Sequence, residues 1–416
     1  MAKSATTSSS QSPEASKTPE APAILKGAPV LRVLGTSVTL LDCIRDQARK
    51  DLGIDIRFEV LDGVEAQTRG VLSPESFDIY DQWFHNVDFI WPASAVQPID
   101  IKRITHWEEI NSLPKTGRIT LHAPLGDGCK PVDRLYVQPD GNFGPRPTGK
   151  ITMLPVSHNA DSFGYRRDLL PADLIAEEES WGWLVDERCC GLVGLQSDCA
   201  IGALDAALAV EAKGLAKFKD IGNLSIEEID QLIECLIKLK RKNHFRSFWS
   251  DHSAAVEQMK QGAVGIESLW SPALIELKAQ QLDLRMAAPR EGYRAWYGGM
   301  SISRCATGRV LDAAYDYMNW WLSGWPGSMI ARQGYYISNP QRSRPLMSKA
   351  EWDYWYDGKA ASEDLPGVAG GKPVIRQGEV REGGSYIQRM SQVAVWNSVM
   401  DEHNYLVRRW HDFMSA

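Results

Sequence analysis

Two quotations decide how this chain is read: FWSDHSAAVEQMKQGAVGIESLW, residues 248–270, and, after a polar helix-like run, EGYRAWYGGMSI, residues 291–302. Trp249 and Ser250 open a helix on which Ala254, Val256 and Met259 recur at helical spacing, and Gln261-Gly262 ends it. AVGIESLW then predicts a short buried strand finishing at Trp270. A second strand pattern sets Trp296 just ahead of Gly298-Gly299. A tryptophan at the end of a buried strand is a costly filler, because its ring is broad and its N–H wants an acceptor. At the rim of a cleft the same ring makes a flat wall for a ligand. The plainer reading is that large cores absorb most of the fifteen tryptophans.

Outward from this stretch, strand alternates with helix. PVLRVLGTSV reads as a buried strand, LLDCIRDQARKDLG as a helix stopped by Gly53, and DIRFEVLDG as the next strand. A helix around Glu65, a strand SFDIYDQW and a helix near HNVDFIW follow. KITMLPVSHNADSFGYRRDLL predicts one strand to Val156 and another through Phe163-Gly164-Tyr165. CGLVGLQSD is a strand and AIGALDAALAVEAKG a helix. LSIEEIDQLIECLIKLKRKN is an amphipathic helix with Ser225 and Glu228 at capping-box spacing. The chain closes on a predicted helix from Gln388 to Met414. Residues 112–150 and 357–384 are rich in Gly and Pro and read as surface loops, the first with a short hairpin. The alternation predicts an α/β fold whose mostly parallel sheets are flanked by helices.

Composition excludes several classes. Net charge is −7 without a basic stripe, so no nucleic-acid partner is expected. No window is apolar for the length of a membrane span. The seven cysteines form no CxxC and no zinc spacing, so buried free thiols are expected, with one disulfide open in an oxidising compartment. Residues 1–29 are expected to form a disordered tail, being dominated by Ser, Thr, Pro and Ala. That tail has no apolar core of a signal peptide, so either the chain is cytoplasmic or an export signal was replaced by a Met start.

Catalytic signatures are missing from the sequence: there is no GxSxG, HExxH, GxxxxGK[ST] or GxGxxG. No two of the eight histidines stand at i, i+4, and no metal or other cofactor is expected. What recurs is a polar or aromatic residue after a predicted strand: Thr36-Ser37, Trp83, Ser157-His158, Ser197-Asp198, Trp270 and Trp296. Open α/β sheets bind ligands beyond the carboxyl ends of their strands. Loops also begin there, which is reason enough for polar residues.

The ordered set GTSVTL, FDIYDQW, LPVSHNADSFGYRRDLL, SWGWLVDERCCGLVGLQSD, RSFWSDHSAAVEQMKQGAVGIESLWS, AWYGGMSI, RQGYYISNP and WNSVMDEHNYLVRRW resembles the extracellular solute-binding proteins of ABC importers, of the spermidine/putrescine-binding type. The resemblance implies a two-lobed periplasmic-binding-protein-like fold. Lobe one would hold 30–152 and 299–338, and lobe two 153–298 and 339–416. Two crossover strands would pass near 150–157 and 296–300. It further implies a periplasmic monomer that captures a small-molecule solute and hands it to a membrane permease.

In that family, aromatic walls and carboxylates hold the amines, a sensible pairing for a desolvated ammonium. The resemblance carries ligand contact to Thr36, Ser37, Trp83, His85, His158, Asp198, Trp270, Trp296 and Tyr335. The acids are largely replaced. Thr36-Ser37-Val38-Thr39 stands where the family has an aromatic, Ser, an acid and Tyr, and Gly298 and Ile201 stand where it has acids. The expected ligand is therefore less cationic, bulkier or zwitterionic. Two alternatives stay open: a binding protein that has lost its solute and acts through a partner, and an enzyme on the same fold with Cys199 as nucleophile.

Overall fold

The computed structural model describes residues 27–280, 282–368, 370 and 373–416. The first 26 residues, most of the expected tail, lie outside them.

Strand β1 (Val30–Gly35) leads through helix α1 (Asp42–Leu52) to β2 (Asp55–Val60). Helix α1 buries Ile44 and Ala48 and stops at Gly53, whose φ of 65° is left-handed. Helix α2 (Gly63–Leu72) starts on an Asp62 cap and leads to β3 (Ile79–Trp83). Both β2 and β3 lie parallel to β1. The long strand β4 (Leu154–Arg166) follows. The second half repeats the plan: β5 (Val193–Gln196), α3 (Cys199–Ala212), α4 (Ile226–Lys240), β6 (Phe245–Trp249), α5 (His252–Gln261), β7 (Ile266–Leu269) and α6 (Ser271–Ala279). There β6 and β7 lie parallel to β5. Strand β8 (Tyr293–Ser303), α7 (Gly308–Trp321), β9 (Val393–Trp396) and α8 (His403–Ser415) complete the plan.

The strands run in the order β6-β5-β7-β4-β8-β3-β1-β2. The two long strands join the halves and pair antiparallel with each other, from Leu154↔Met300 to Asp161↔Arg294. Strand β8 continues onto β3 through Gly298↔Trp83, and β4 onto β7 through Ser162↔Leu269. Leu154, Val156 and Ala160 of β4 lie in a first apolar core with β1–β3, whereas Phe163 and Tyr165 lie in a second with α3 and α4. A third, smaller core gathers Trp249, Met259 and Leu277 around α5 and α6.

Four expectations are corrected. Trp249 ends strand β6 and does not open a helix; Asp251 caps α5 instead. The predicted pair of strands over 151–165 is one 13-residue strand, because Ser157, His158, Asn159, Asp161 and Ser162 are buried polar residues inside it. The predicted closing helix is interrupted by β9, where Val393, Val395 and Trp396 pair with β8 and β9 buries its apolar side chains. Residues assigned to the second lobe beyond 339, from Ala350 to Met390 and again Val393 and Trp396, pack with the first core, because Trp352, Tyr356 and Tyr386 form an aromatic cluster there with Tyr336. The expected hairpin in 112–150 is present as Tyr136–Val137 against Phe143–Gly144.

Candidate functional site

Strand ends from both halves converge on one cavity of about 140 Å³. The first half supplies Thr36 and Ser37 beyond β1, Asp62 and Gly63 beyond β2, and Trp83 at the end of β3. The second supplies Ser250 and Asp251 beyond β6, Trp270 beyond β7 and Asn397 beyond β9. Arg294 and Trp296 reach it from β8, and Tyr335 from the turn after Ala331. Parallel strands place their carboxyl ends on one edge, which is why such distant residues meet.

Aromatic rings make the walls. The Trp296 indole stands edge-on to Tyr335, with centroids 5.1 Å apart, and its Nε1 donates to Asp161 Oδ2 at 2.7 Å. Trp270 stands edge-on to Trp249 at 5.0 Å. Trp83 lies against the start of α2, where only glycine fits: a Cβ on Gly63 would sit 2.7 Å from the indole.

Below the rings lies a buried polar floor. Asn159 Nδ2 donates to Asp161 Oδ1 and to Ser271 Oγ, each at 2.8 Å. Arg294, only 1% exposed, donates from Nε to Asp205 Oδ1 at 2.6 Å and from Nη1 to Asn397 Oδ1 at 3.1 Å. Burial works against the Arg294 charge, but Asp205 and Asp161 outweigh it and its pKa is raised. Burial likewise pushes Asp205 up to about 6 against the pull of Arg294.

Six of the residues expected at a ligand line this cavity: Thr36, Ser37, Trp83, Trp270, Trp296 and Tyr335. Three stand behind it. His85 stacks on Trp83 at 5.8 Å, and burial, with Arg134 and Arg294 nearby, holds its pKa near about 3, so the ring is neutral. His158 is fully buried against Tyr297 and bonds Tyr386 through Nε2 at 2.9 Å. Asp198 caps α3, accepting from the Ala200 N–H at 3.0 Å, a sufficient structural reason for an acid there.

Arg294 was missed, along with Asp62, Asp251 and Asn397. A signal for Arg294 was present: it is the one charged residue in the strand-like run YRAWYGGMSI. Gly298 has a structural reason too. A Cβ there would stand 2.9 Å from Ser157 Oγ, so Ser157 occupies the room that an acidic side chain would need to leave the backbone. The Cys199 thiol is pushed up to about 12 by burial, the opposite of what a nucleophile requires.

Residues 123–355, more than half of the chain, match the family described as bacterial extracellular solute-binding protein. The chain belongs to that family. Solved structures of the same fold cover nearly all of it. A putative spermidine/putrescine ABC transporter protein from Listeria monocytogenes superimposes with a TM-score of 0.62 at 13% identity, over 92% of this chain and 98% of that one. The spermidine/putrescine substrate-binding protein PotD from Streptococcus pneumoniae, in complex with calcium and HEPES, gives 0.62 at 14% identity, over 93% and 98%. The binding protein AgtB from A. tumefaciens, in complex with agropinic acid, gives 0.54 at 14%, over 78% and 87%. No curated protein sequence matches the chain. Among the described residues, no helix is long and apolar enough to cross a membrane.

Proposed function

We propose that the protein is the solute-capturing component of an ABC-type importer, acting outside the cytoplasmic membrane as a monomer and performing no covalent chemistry. The two cores act as lobes that close on the solute, bending where β4 leaves the first core after Ala160 and enters the second at Phe163. The observation that carries the reading is the cavity itself, where the ends of β3 and β7, the middle of β8 and the turn after Ala331 place Trp83, Trp270, Trp296 and Tyr335 around one space. Those rings bind by stacking and by excluding water, and no activated nucleophile stands among them.

The solute differs from a linear polyamine. A chain of two to four ammonium groups needs a carboxylate for each that it buries. Of the floor carboxylates, Asp205 is already paired in charge with Arg294 through Oδ1, its Oδ2 lacking a partner among the described residues, and Asp161 accepts from Trp296 and Asn159. The remaining acids at the cavity, Asp62 and Asp251, sit on its exposed rim. Calorimetry with putrescine and spermidine tests this, with weak or no binding expected. Sub-micromolar affinity for either would contradict it.

A further inference from the structure

Two donors at the floor of the cavity are unused by the protein. Arg294 spends Nε on Asp205 and Nη1 on Asn397, and its Nη2 has no acceptor among the described residues. Asn397 turns its oxygen to the guanidinium, and its Nδ2 likewise has no acceptor among the described residues. Both residues border the cavity while being almost wholly buried, at 1% and 5% exposure.

Three acids stand around this pair. Asp205 is bonded by Arg294 through Oδ1, its buried Oδ2 having no partner among the described residues, and Asp161 accepts from Trp296 and Asn159 with Arg294 and Arg389 as its neighbouring cations. Asp198 is spent on its helix cap. A ligand ammonium brought to the floor would meet a buried guanidinium in a water-poor space, where like charges repel strongly. A carboxylate there would meet two donors, one of them charged. At the rim the preference reverses. Asp62 and Asp251 each use one oxygen at a helix cap, accepting from Glu65 N and Ala254 N, and the other has no partner among the described residues.

We propose that the solute is a small zwitterion, its carboxylate seated on Arg294 Nη2 and Asn397 Nδ2 and its ammonium turned toward Asp62 and Asp251. This rests on the solute-capture reading above and assigns the chemistry of that same site. The aromatic walls then hold the stem between the two ends.

Calorimetry on the full chain with three matched pairs tests it: γ-aminobutyrate against putrescine, δ-aminovalerate against cadaverine, and phenylalanine against phenethylamine. The first two pairs exchange a carboxylate for an ammonium at the end that would reach the floor, and the third removes an α-carboxylate. At least one acid is expected to bind about 10-fold or more tighter than its amine, the worth of a charge-assisted hydrogen bond. Asn397→Asp should weaken that acid by about 10- to 100-fold without weakening the amine, because it replaces a donor with an acceptor and neutralises Arg294. Arg294→Lys keeps the charge but loses the fork, and should weaken the acid as well; thermal melting of both variants checks that they fold. Binding of amines with every acid silent overturns the zwitterion assignment and leaves solute capture standing. Silence of all six probes overturns both. Acid binding unchanged in folded Asn397→Asp overturns the placement of the carboxylate.

Discussion

Trp296 and Trp270 face one cavity from walls built in different ways. Trp296 lies mid-strand in β8, 5% exposed, with its N–H on Asp161 and its ring on Tyr335. Trp270 follows the end of β7, half-buried, with its ring on Trp249 and no acceptor for its N–H among the described residues. One wall is fixed by the core and by a polar network. The other stands on the small core around α5 and α6, where fewer contacts restrain it. A fixed wall couples binding to stability, and a looser wall separates them.

The largest break in the fixed wall is at its floor. Asp205→Ala strands the buried Arg294 charge and should cost about 3–5 kcal/mol in urea unfolding. Trp296→Ala should cost about 3 kcal/mol by the same measurement and abolish solute binding, because it empties a packed site as well as a wall. Trp270→Ala should cost only about 1–2 kcal/mol while weakening solute binding by about 10-fold or more, so affinity falls further than stability predicts.

The strand beneath Trp270 adds a pH dependence. Glu267 on β7 is fully buried, and neither carboxylate oxygen has a partner among the described residues. Burial holds its pKa well above the usual carboxylate range. The folded protein keeps that proton where the unfolded chain releases it, so stability should fall as pH rises above the unfolded pKa of about 4.3. Glu267→Gln should flatten this slope and add about 1–2 kcal/mol near neutral pH, read as melting temperature against pH. The smallest effect is expected at the rim. Asp251→Ala removes the cap of α5 and should cost about 1 kcal/mol.

The same contrast explains what could be read from the sequence. Regular alternation made β1, α1, β2 and α2 legible, and the capping box of Ser225 and Glu228 marked α4 where it forms. The fixed wall was harder. SHNADS inside β4 is polar because each half of the protein buries it and the network pairs it: His158 with Tyr386, and Asn159 with Asp161. Composition alone makes such a segment look like a break between two strands. Short apolar runs such as VAVW fit helix or strand until a partner strand is known. At the site, rings at strand ends were legible because the carboxyl edge is a general place for ligands. Arg294 stood out only as a lone charge in its run, and its pairing was not legible, because its partners Asp205 and Asn397 are 89 and 103 residues away.

The central claim is that the space between Trp270 and Trp296 captures a small solute and leaves it unchanged. Mass spectrometry of small molecules released from the purified protein by denaturation tests it most directly, with Trp270→Ala prepared in parallel. One organic solute is expected from the wild type, recovered in its starting form after prolonged incubation, and little of it from the folded variant. Equal release from both, no solute from the wild type, or its conversion to a product would contradict the account.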